Sequence, residues 1–443
     1  MKKLSLALFA LISIAVIYYV TTGSAQLTSQ IKSQVDTEIA SLKTQGFSVQ
    51  REAVDEQQEH LVISFHDPKK IASYFTQHGA QLSVADAVPF KGLQIAVDLH
   101  YLLDAYSGLS FDIYPIALPE TITTNAAAPE DKKILKQIEQ MLDKKTFLLH
   151  CDVNKLGNGF KGYIKDINEV LRGDTPINIM LNQFEFSGKI NKNRIQSIEQ
   201  TVKYIHFNIA NAFALNINGL KSHYSITGST AYDYKTAYTI EKISMQQKEV
   251  ITFIANHFEA FSDTTVEKSL AHTALKTKID TILISKKEEN LSLKTVILDM
   301  NASNLDMNAL EHLSKIDPHN EKEVNKAIEQ IISKGIILGI PQFSVSDIAY
   351  QGQNMEGFHL NSLLNIDKSL NLVDIEDNPL LALRALTAHL DLSLSEGLYS
   401  LIGEQPEAIM AMMLFPPKEV QGQKVYEVEL KDGRLSVNGS PIM

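Results

Sequence analysis

The stretch HLDLSLS (His389–Ser395) places Leu390, Leu392 and Leu394 at every second position, with His389, Asp391, Ser393 and Ser395 between them. Successive side chains of a β-strand point to opposite faces, so this segment predicts a strand with one buried and one wet face. The same period recurs in LQIAVDLHY, where Ile95, Val97, Leu99 and Tyr101 oppose Gln94, Asp98 and His100. FALNING groups Phe213, Leu215 and Ile217, and YEVEL groups Tyr426, Val428 and Leu430. Strands buried on both sides of a parallel sheet read as continuous apolar runs, so these patterns predict antiparallel sheet.

Turn chemistry points the same way. Asn158-Gly159, Asn218-Gly219, Asp432-Gly433 and Asn438-Gly439 supply the positive φ angles that two-residue hairpins need. The last two fall in the tail VYEVELKDGRLSVNGSPIM (Val425–Met443), which predicts hairpins closing an outer edge of the sheet. Pro441 cannot donate to a ladder and so blunts that edge. Glu241–Asp263 and Pro341–Asp367 each read as strand, polar turn and longer strand, a loose internal repetition.

Helices are fewer. Ile134, Leu135, Ile138, Met141 and Leu142 form one stripe in 131–145. Val324, Ala327, Ile328, Ile331 and Ile332 form another in 321–336, with Asn320 as N-cap and Glu323 completing a capping-box pattern. Residues 398–417 read as two short helices broken near Pro406, and Pro129 and Pro416-Pro417 mark linkers.

The N-terminus is an address. Lys2 and Lys3 precede an uncharged run from Leu4 to Val20, near the shortest length that crosses a bilayer as a helix. The lysines hold the N-terminus in the cytoplasm, and Tyr18 and Tyr19 suit the far interface. A signal anchor over 4–22 is the expectation, against the alternative of cleavage after Ala25. Either way the remainder is exported, into the periplasm in a bacterial context. Leu27, Ile31, Val35, Ile39 and Leu42 continue as a helix over 23–46 that Gly46 ends, read as a stalk or a helix packed on the first sheet, against the alternative of a dimerisation coil. Residues 47–443 form the body, with helices near 131–145, 306–337 and 398–415.

Composition narrows the function classes. There are 41 basic and 52 acidic residues, a net charge of −11, which speaks against a nucleic-acid partner. The single cysteine, Cys151, allows neither an internal disulfide nor a cysteine-rich metal framework. Gly157, Gly159 and Gly162 in LGNGFKGYIKDINEVL satisfy G-x-G-x-x-G, and Glu185 follows 23 residues on. No βαβ alternation surrounds them, and a hairpin turn at Asn158-Gly159 explains the same residues, so no cofactor is expected.

Neither metal nor covalent chemistry stands out. His150 and Asp152 share a strand face with Cys151 on the other, but two ligands make no site, and no H-E-x-x-H is present. Asp367, Asp374, Glu376, Asp377 and Asn378 lack the spacing of a calcium loop. Ser29 and Lys32 match S-x-x-K without the accompanying K-T-G. His100, His150 and His389, each on a strand face, are the weak candidates for catalysis. Ile409, Met410, Met412, Met413, Leu414 and Phe415 are apolar nearly all round. Pliable methionines line adaptable hydrophobic grooves, so this segment is either core or a surface for a lipid or partner.

YYVTTG (Tyr18–Gly23), the polar helix after it and the closing tail resemble the YdgA-like family of bacterial inner-membrane-anchored periplasmic proteins, whose function is unknown. The segments Glu241–Asp263 and 277–313 resemble that family's middle strands and the helix after them. The chain departs from the resemblance in having no tryptophan and in stopping at Met443. The resemblance brings no catalytic residues. The expected fold is α+β and β-rich: a long curved antiparallel meander with amphipathic helices on its concave side, after one transmembrane helix. The expected function is non-enzymatic binding of a hydrophobic ligand or envelope partner, with an enzyme acting on cell-envelope material as the alternative.

Overall fold

A computed structural model describes residues 36–37, 39–77, 82–101, 106–125, 128–191, 194–230, 232–248, 250–287, 289–313, 316, 320–370 and 382–442. The expected anchor over 4–22, most of the stalk, Ser29, Lys32 and the acidic residues 374–378 lie outside them. Among the described residues no helix is long and apolar enough to cross a membrane. The protein is β-rich, with long antiparallel strands and some helices. It divides into two compact units at His223/Tyr224.

In the first unit the strands are β1 (Phe47–Ala53), β2 (Gln58–Phe65), β3 (Gln94–Tyr101), β4 (Ser107–Ala117) and β5 (Leu149–Asn154). They are followed by β6 (Gly159–Ile164), β7 (Ile167–Leu171), β8 (Ile177–Asn191) and β9 (Arg194–Ile209). β1 to β6 pair antiparallel in chain order, β8 takes β6 and β7 end to end along one edge, and β9 lies on its other side. Helices α1 (Pro68–Gln77), α2 (Val84–Ala87), α3 (Glu120–Asn125) and α4 (Pro129–Asp143) fill the connections.

Alternation does in β3 what the sequence predicts: Ile95, Val97, Leu99 and Tyr101 are buried, and Asp98 and His100 are not. The buried face packs with Ile71, Tyr74 and Phe75 of α1 and with Ile39 and Leu42 of the preceding helix. That part of the stalk is therefore a helix packed on the sheet, and Gly46, at φ +93°, turns the chain out of it into β1.

The glycines of LGNGFKGYI have structural work here. Gly157, at φ +67°, makes the β5–β6 turn, and the Asn154 side chain accepts from the N–H groups of Asn158 and Gly159. Asn158 itself does not take positive φ, so the turn differs from the predicted Asn-Gly type. Gly162 lies opposite Phe186, and Phe160 opposite Gly188. A Cβ on Gly162 would sit 2.5 Å from the Phe186 ring, and one on Gly188 2.3 Å from the Phe160 ring. Each glycine makes room for the ring on the neighbouring strand, and the dinucleotide reading has no strand–turn–helix to stand on.

β10 (Phe213–Ile226) contains the boundary. Asn218-Gly219 lies inside this strand, with Gly219 at φ +63°; the turn between β9 and β10 is at Asn211, φ +60°. The predicted hairpin at 218–219 is thus corrected. A tight-turn dipeptide is also tolerated where a strand bends, and the longer apolar alternation around it decides.

The second unit begins with β11 (Tyr234–Gln247), β12 (Ile251–Glu267), β13 (Leu270–Lys286) and β14 (Glu289–Asp306). Then come α5 (Met307–Leu313), α6 (Glu321–Ile332), β15 (Ile336–Tyr350), β16 (Gln353–Ile366) and β17 (Leu386–Ser395). It ends with α7 (Glu396–Ile402), α8 (Pro406–Leu414), β18 (Lys418–Val420), β19 (Gln423–Lys431), β20 (Arg434–Val437) and β21 (Ser440–Pro441). Strands β11 to β17 form an antiparallel meander, and β19 adds to β17. β18 and β20 share the outer edge of β19, and β21 caps β20. Asp432-Gly433 and Asn438-Gly439 both have positive φ and turn the closing hairpins as predicted. Asn320 caps α6 by accepting from the Glu323 N–H.

Candidate functional site

Two surfaces could serve a function, one in each unit. On the wet face of the first sheet, direct cross-strand partners make a polar row: His60, Asp98, Asp112, His150, Tyr163, Glu185 and Thr201. Residues directly opposite one another share a face, so these side chains meet. His60 Nδ1 lies 2.6 Å from Asp98 Oδ1, and Asp98 Oδ2 accepts from Lys145 Nζ at 3.0 Å and Tyr114 OH at 2.9 Å. Lys145 reaches this position because the chain turns at φ +50° just past α4, and its ammonium sits 4.0 Å over the Tyr114 ring. Burial pushes the Asp98 carboxyl up, but the bonds from His60, Lys145 and Tyr114 outweigh it and hold the group below the usual carboxylate range.

His150 lies between two carboxylates, with Nδ1 2.7 Å from Asp112 and Nε2 3.4 Å from Asp152, and its ring stacks on Tyr163 at 4.9 Å. The hydrogen bond to Asp112 raises its pKa against the opposing effect of burial. A shallow depression of about 540 Å³ adjoins it, bordered by Asp152, Lys161, Tyr163, Glu185 and Glu199. Among the described residues no three His, Cys, Asp or Glu side chains are arranged to hold a metal ion. Cys151 is on the opposite face, as alternation requires, and burial pushes its thiol pKa far up. His100 belongs to the same wet face, opposite Gln58 and Ser110. His389 belongs to the second unit, where it pairs with Asp391 at 2.9 Å.

The second surface is apolar. One row runs Tyr238–Ala260–Thr277–Leu298–Phe343–Leu360–Leu392–Tyr426 from β11 to β19. Two residues further along each strand, three on β15 where the register shifts, lie Thr236, Ser262, Leu275 and Met300, then Ile340, Ser362, Leu390 and Val428. The next row is Tyr234–Thr264–Thr273–Ala302–Leu338–Leu364–Ala388–Leu430. None of the three rows contains a charged residue, although 21% of the chain is charged. The rows between them, on the other face, carry Lys235, Asp263, Lys276, Asp299, Asp391, Glu427 and Glu429.

Helices cover this apolar face at two places. Leu398, Tyr399 and Ile402 of α7 pack with Val345, Phe358, Leu392 and Leu394; α5 and α6 pack with Leu305, Ile336 and Ile366. Along β16 the two covers are separated by the distance from Phe358 to Ile366, about 26 Å at ~3.3 Å per residue. Between them Leu360, Leu364, Leu390, Val428 and Leu430 are only half-buried, and Tyr238, Leu275, Met300 and Leu338 are exposed. Monomeric proteins rarely leave contiguous apolar surface of this kind without a use for it.

α8 adds to the exposed apolar area. Ile409, Met410, Met413 and Leu414 are exposed, Met413 to 80%, while Met412 and Phe415 are half-buried. Core packing, the simpler reading of this segment, does not hold for those four: α8 has no polar stripe, yet it lies at the surface. Near α7, burial and a hydrogen bond with Tyr399 push the Tyr426 hydroxyl up to about 12. Sequence reasoning missed His60, Asp112 and Lys145, which are brought to Asp98 and His150 by register and by a turn after α4. No family model matches this chain, and no curated protein or solved structure matches it either.

Proposed function

We propose that this chain is a membrane-anchored envelope protein that holds a hydrophobic ligand on the apolar face of its second unit. The observation that carries this reading is the charge-free face left half-covered between α7 and the α5–α6 pair. Across the strands from β14 to β19 the face spans about 19 Å at ~4.8 Å per strand, more than the ~15 Å that one leaflet contributes to a bilayer's hydrocarbon core, so an acyl chain fits across the sheet. The strands curve around the ligand, with the helices on the concave side, and the methionines of α8 extend the adaptable contact surface. The uncharged run Leu4–Val20 behind Lys2 and Lys3 anchors the protein in a bacterial inner membrane, N-terminus in the cytoplasm and bulk in the periplasm. Both ends of the chain support the same placement through their resemblance to the YdgA-like family.

Native mass spectrometry of the detergent-extracted full chain tests the reading: lipid co-purifies with the wild type, and Met300→Glu, a charge at an exposed point of the face, reduces its occupancy severalfold. Repeated absence of lipid from the wild type would sink it. A second reading, a periplasmic enzyme acting on envelope material, is favoured by His150 between Asp112 and Asp152 beside an open depression. It requires turnover of an envelope substrate that His150→Ala abolishes.

A further inference from the structure

Given the ligand-binding reading above, on which this rests, we infer that the ligand is a neutral amphiphile, a lipid whose head carries hydroxyl groups and no charge, with the head on the β11–β13 side of the face. The apolar rows change character across the sheet. From β14 to β19 they are almost wholly aliphatic or aromatic, as in Leu298, Met300, Leu360 and Leu390. From β11 to β13 the same rows carry hydroxyls: Thr236, Tyr238, Ser262 and Thr277, with Tyr234, Thr264 and Thr273 beside them. Thr264 and Thr273 already hydrogen-bond each other at 3.0 Å. Among the described residues the hydroxyls of Thr236, Tyr238, Ser262 and Thr277 make no hydrogen bond, and Tyr238 is half exposed.

A hydroxyl both donates and accepts, so these four match a head group that does the same. A phosphate or carboxylate placed there meets no ammonium or guanidinium, because the three rows hold none, and an ion desolvated without a partner binds poorly. Lys424, which register places one row further on, belongs to β19, on the opposite flank from the hydroxyls. It is 12% exposed, stacks on Tyr399 and pairs with Glu396 at 3.1 Å and with Glu419, so it has no charge to spare for a ligand. The gradient therefore selects by head group and places the tail along β14 to β19.

The test uses the purified full chain and an environment-sensitive hydrophobic dye displaced by a long-chain monoacylglycerol or by the fatty acid of the same chain, at a pH where the acid is ionised. The monoacylglycerol displaces the dye at a concentration at least about tenfold lower. In the double variant Tyr238→Phe, Thr277→Val that advantage falls to about twofold or less, both lipids being compared against the dye on the same variant. Equal or tighter binding of the fatty acid, or a preference the variant leaves intact, overturns the head-group assignment alone. If the dye and both lipids fail to bind the wild type, the apolar-face reading falls, and this inference with it.

Discussion

The two units use one strand pattern to opposite ends. In the first, the apolar face of the sheet is closed by α1 and the helix before β1, and Leu109, Phe111, Cys151 and Val153 are fully buried. The wet face there is ordered too, by ion pairs and hydrogen bonds. In the second, the apolar face is sealed only at its two helical covers, and the rows between stay half open. Alternation decides which side of a strand is oily; what covers that side decides whether it becomes core or surface. A unit that closes its apolar face gains stability, and one that leaves it open keeps room for a ligand.

The sharpest break in this comparison comes from truncating equivalent rings. Phe111→Ala in the closed core should cost about 3–5 kcal/mol, since nothing fills the cavity. Phe343→Ala on the half-covered face, where Phe358 is its edge-to-face neighbour at 5.0 Å, should cost about half of that or less. Chemical denaturation followed by hydrogen exchange in β4 and β15 separates the two, and equal losses would erase the distinction.

Next in size is the ion pair at the sheet edge. Glu59 is 4% exposed and accepts from both Arg51 Nε at 2.9 Å and a terminal guanidinium nitrogen at 3.0 Å. Glu59→Ala should cost about 2–3 kcal/mol, because the part-buried guanidinium loses its bidentate partner. Isothermal denaturation of the variant measures it, and a loss below about 0.5 kcal/mol would mean that the pair contributes as little as a surface bridge.

The polar row of the first unit should also respond to pH. His150 has its pKa raised above the ordinary 6.5 by Asp112, so the native state binds its proton more tightly than the unfolded chain does. Its contribution is full below about pH 6.5 and is lost as pH rises through the higher native value. Asp112→Asn should flatten stability against pH in that window. A profile indistinguishable from the wild type's would remove the Asp112–His150 bond as its cause.

The smallest effect concerns a seam in the second sheet. His257, at φ +51°, and Thr295, at φ +48°, sit in the same transverse line as Asp280, Ser346 and Gly357. The left-handed conformation is costly for a β-branched residue and mild for asparagine. Thr295→Asn should therefore stabilise the second unit by about 0.5 kcal/mol, read as a small rise in its denaturation midpoint.

That seam also marks a limit of sequence reading. On either side of it the period-two pattern is plain, but across it the apolar positions slip: Val345 and Ile348, three residues apart, belong to one cluster with Val296 and Leu293. A left-handed residue inside a strand shifts the alternation, and nothing in the identities of His257 or Thr295 announces it. The polar row was legible one strand at a time, as in the outward Asp98 and His150. The links from His60 and Asp112 come from register, which joins residues 38 positions apart.

By itself the sequence determined what lies within reach of local chemistry: the alternating strands, the cap at Asn320, the last two hairpin turns, and the side of each strand that avoids water. Only the tertiary structure decided which apolar rows were closed over, that α8 stayed outside, and that hydroxyls gathered on one flank of a charge-free face. The physical reason is distance along the chain. Side-chain direction follows from neighbouring residues, whereas cover and cross-strand register depend on segments far apart in sequence, whose meeting is set by the packing of the whole sheet.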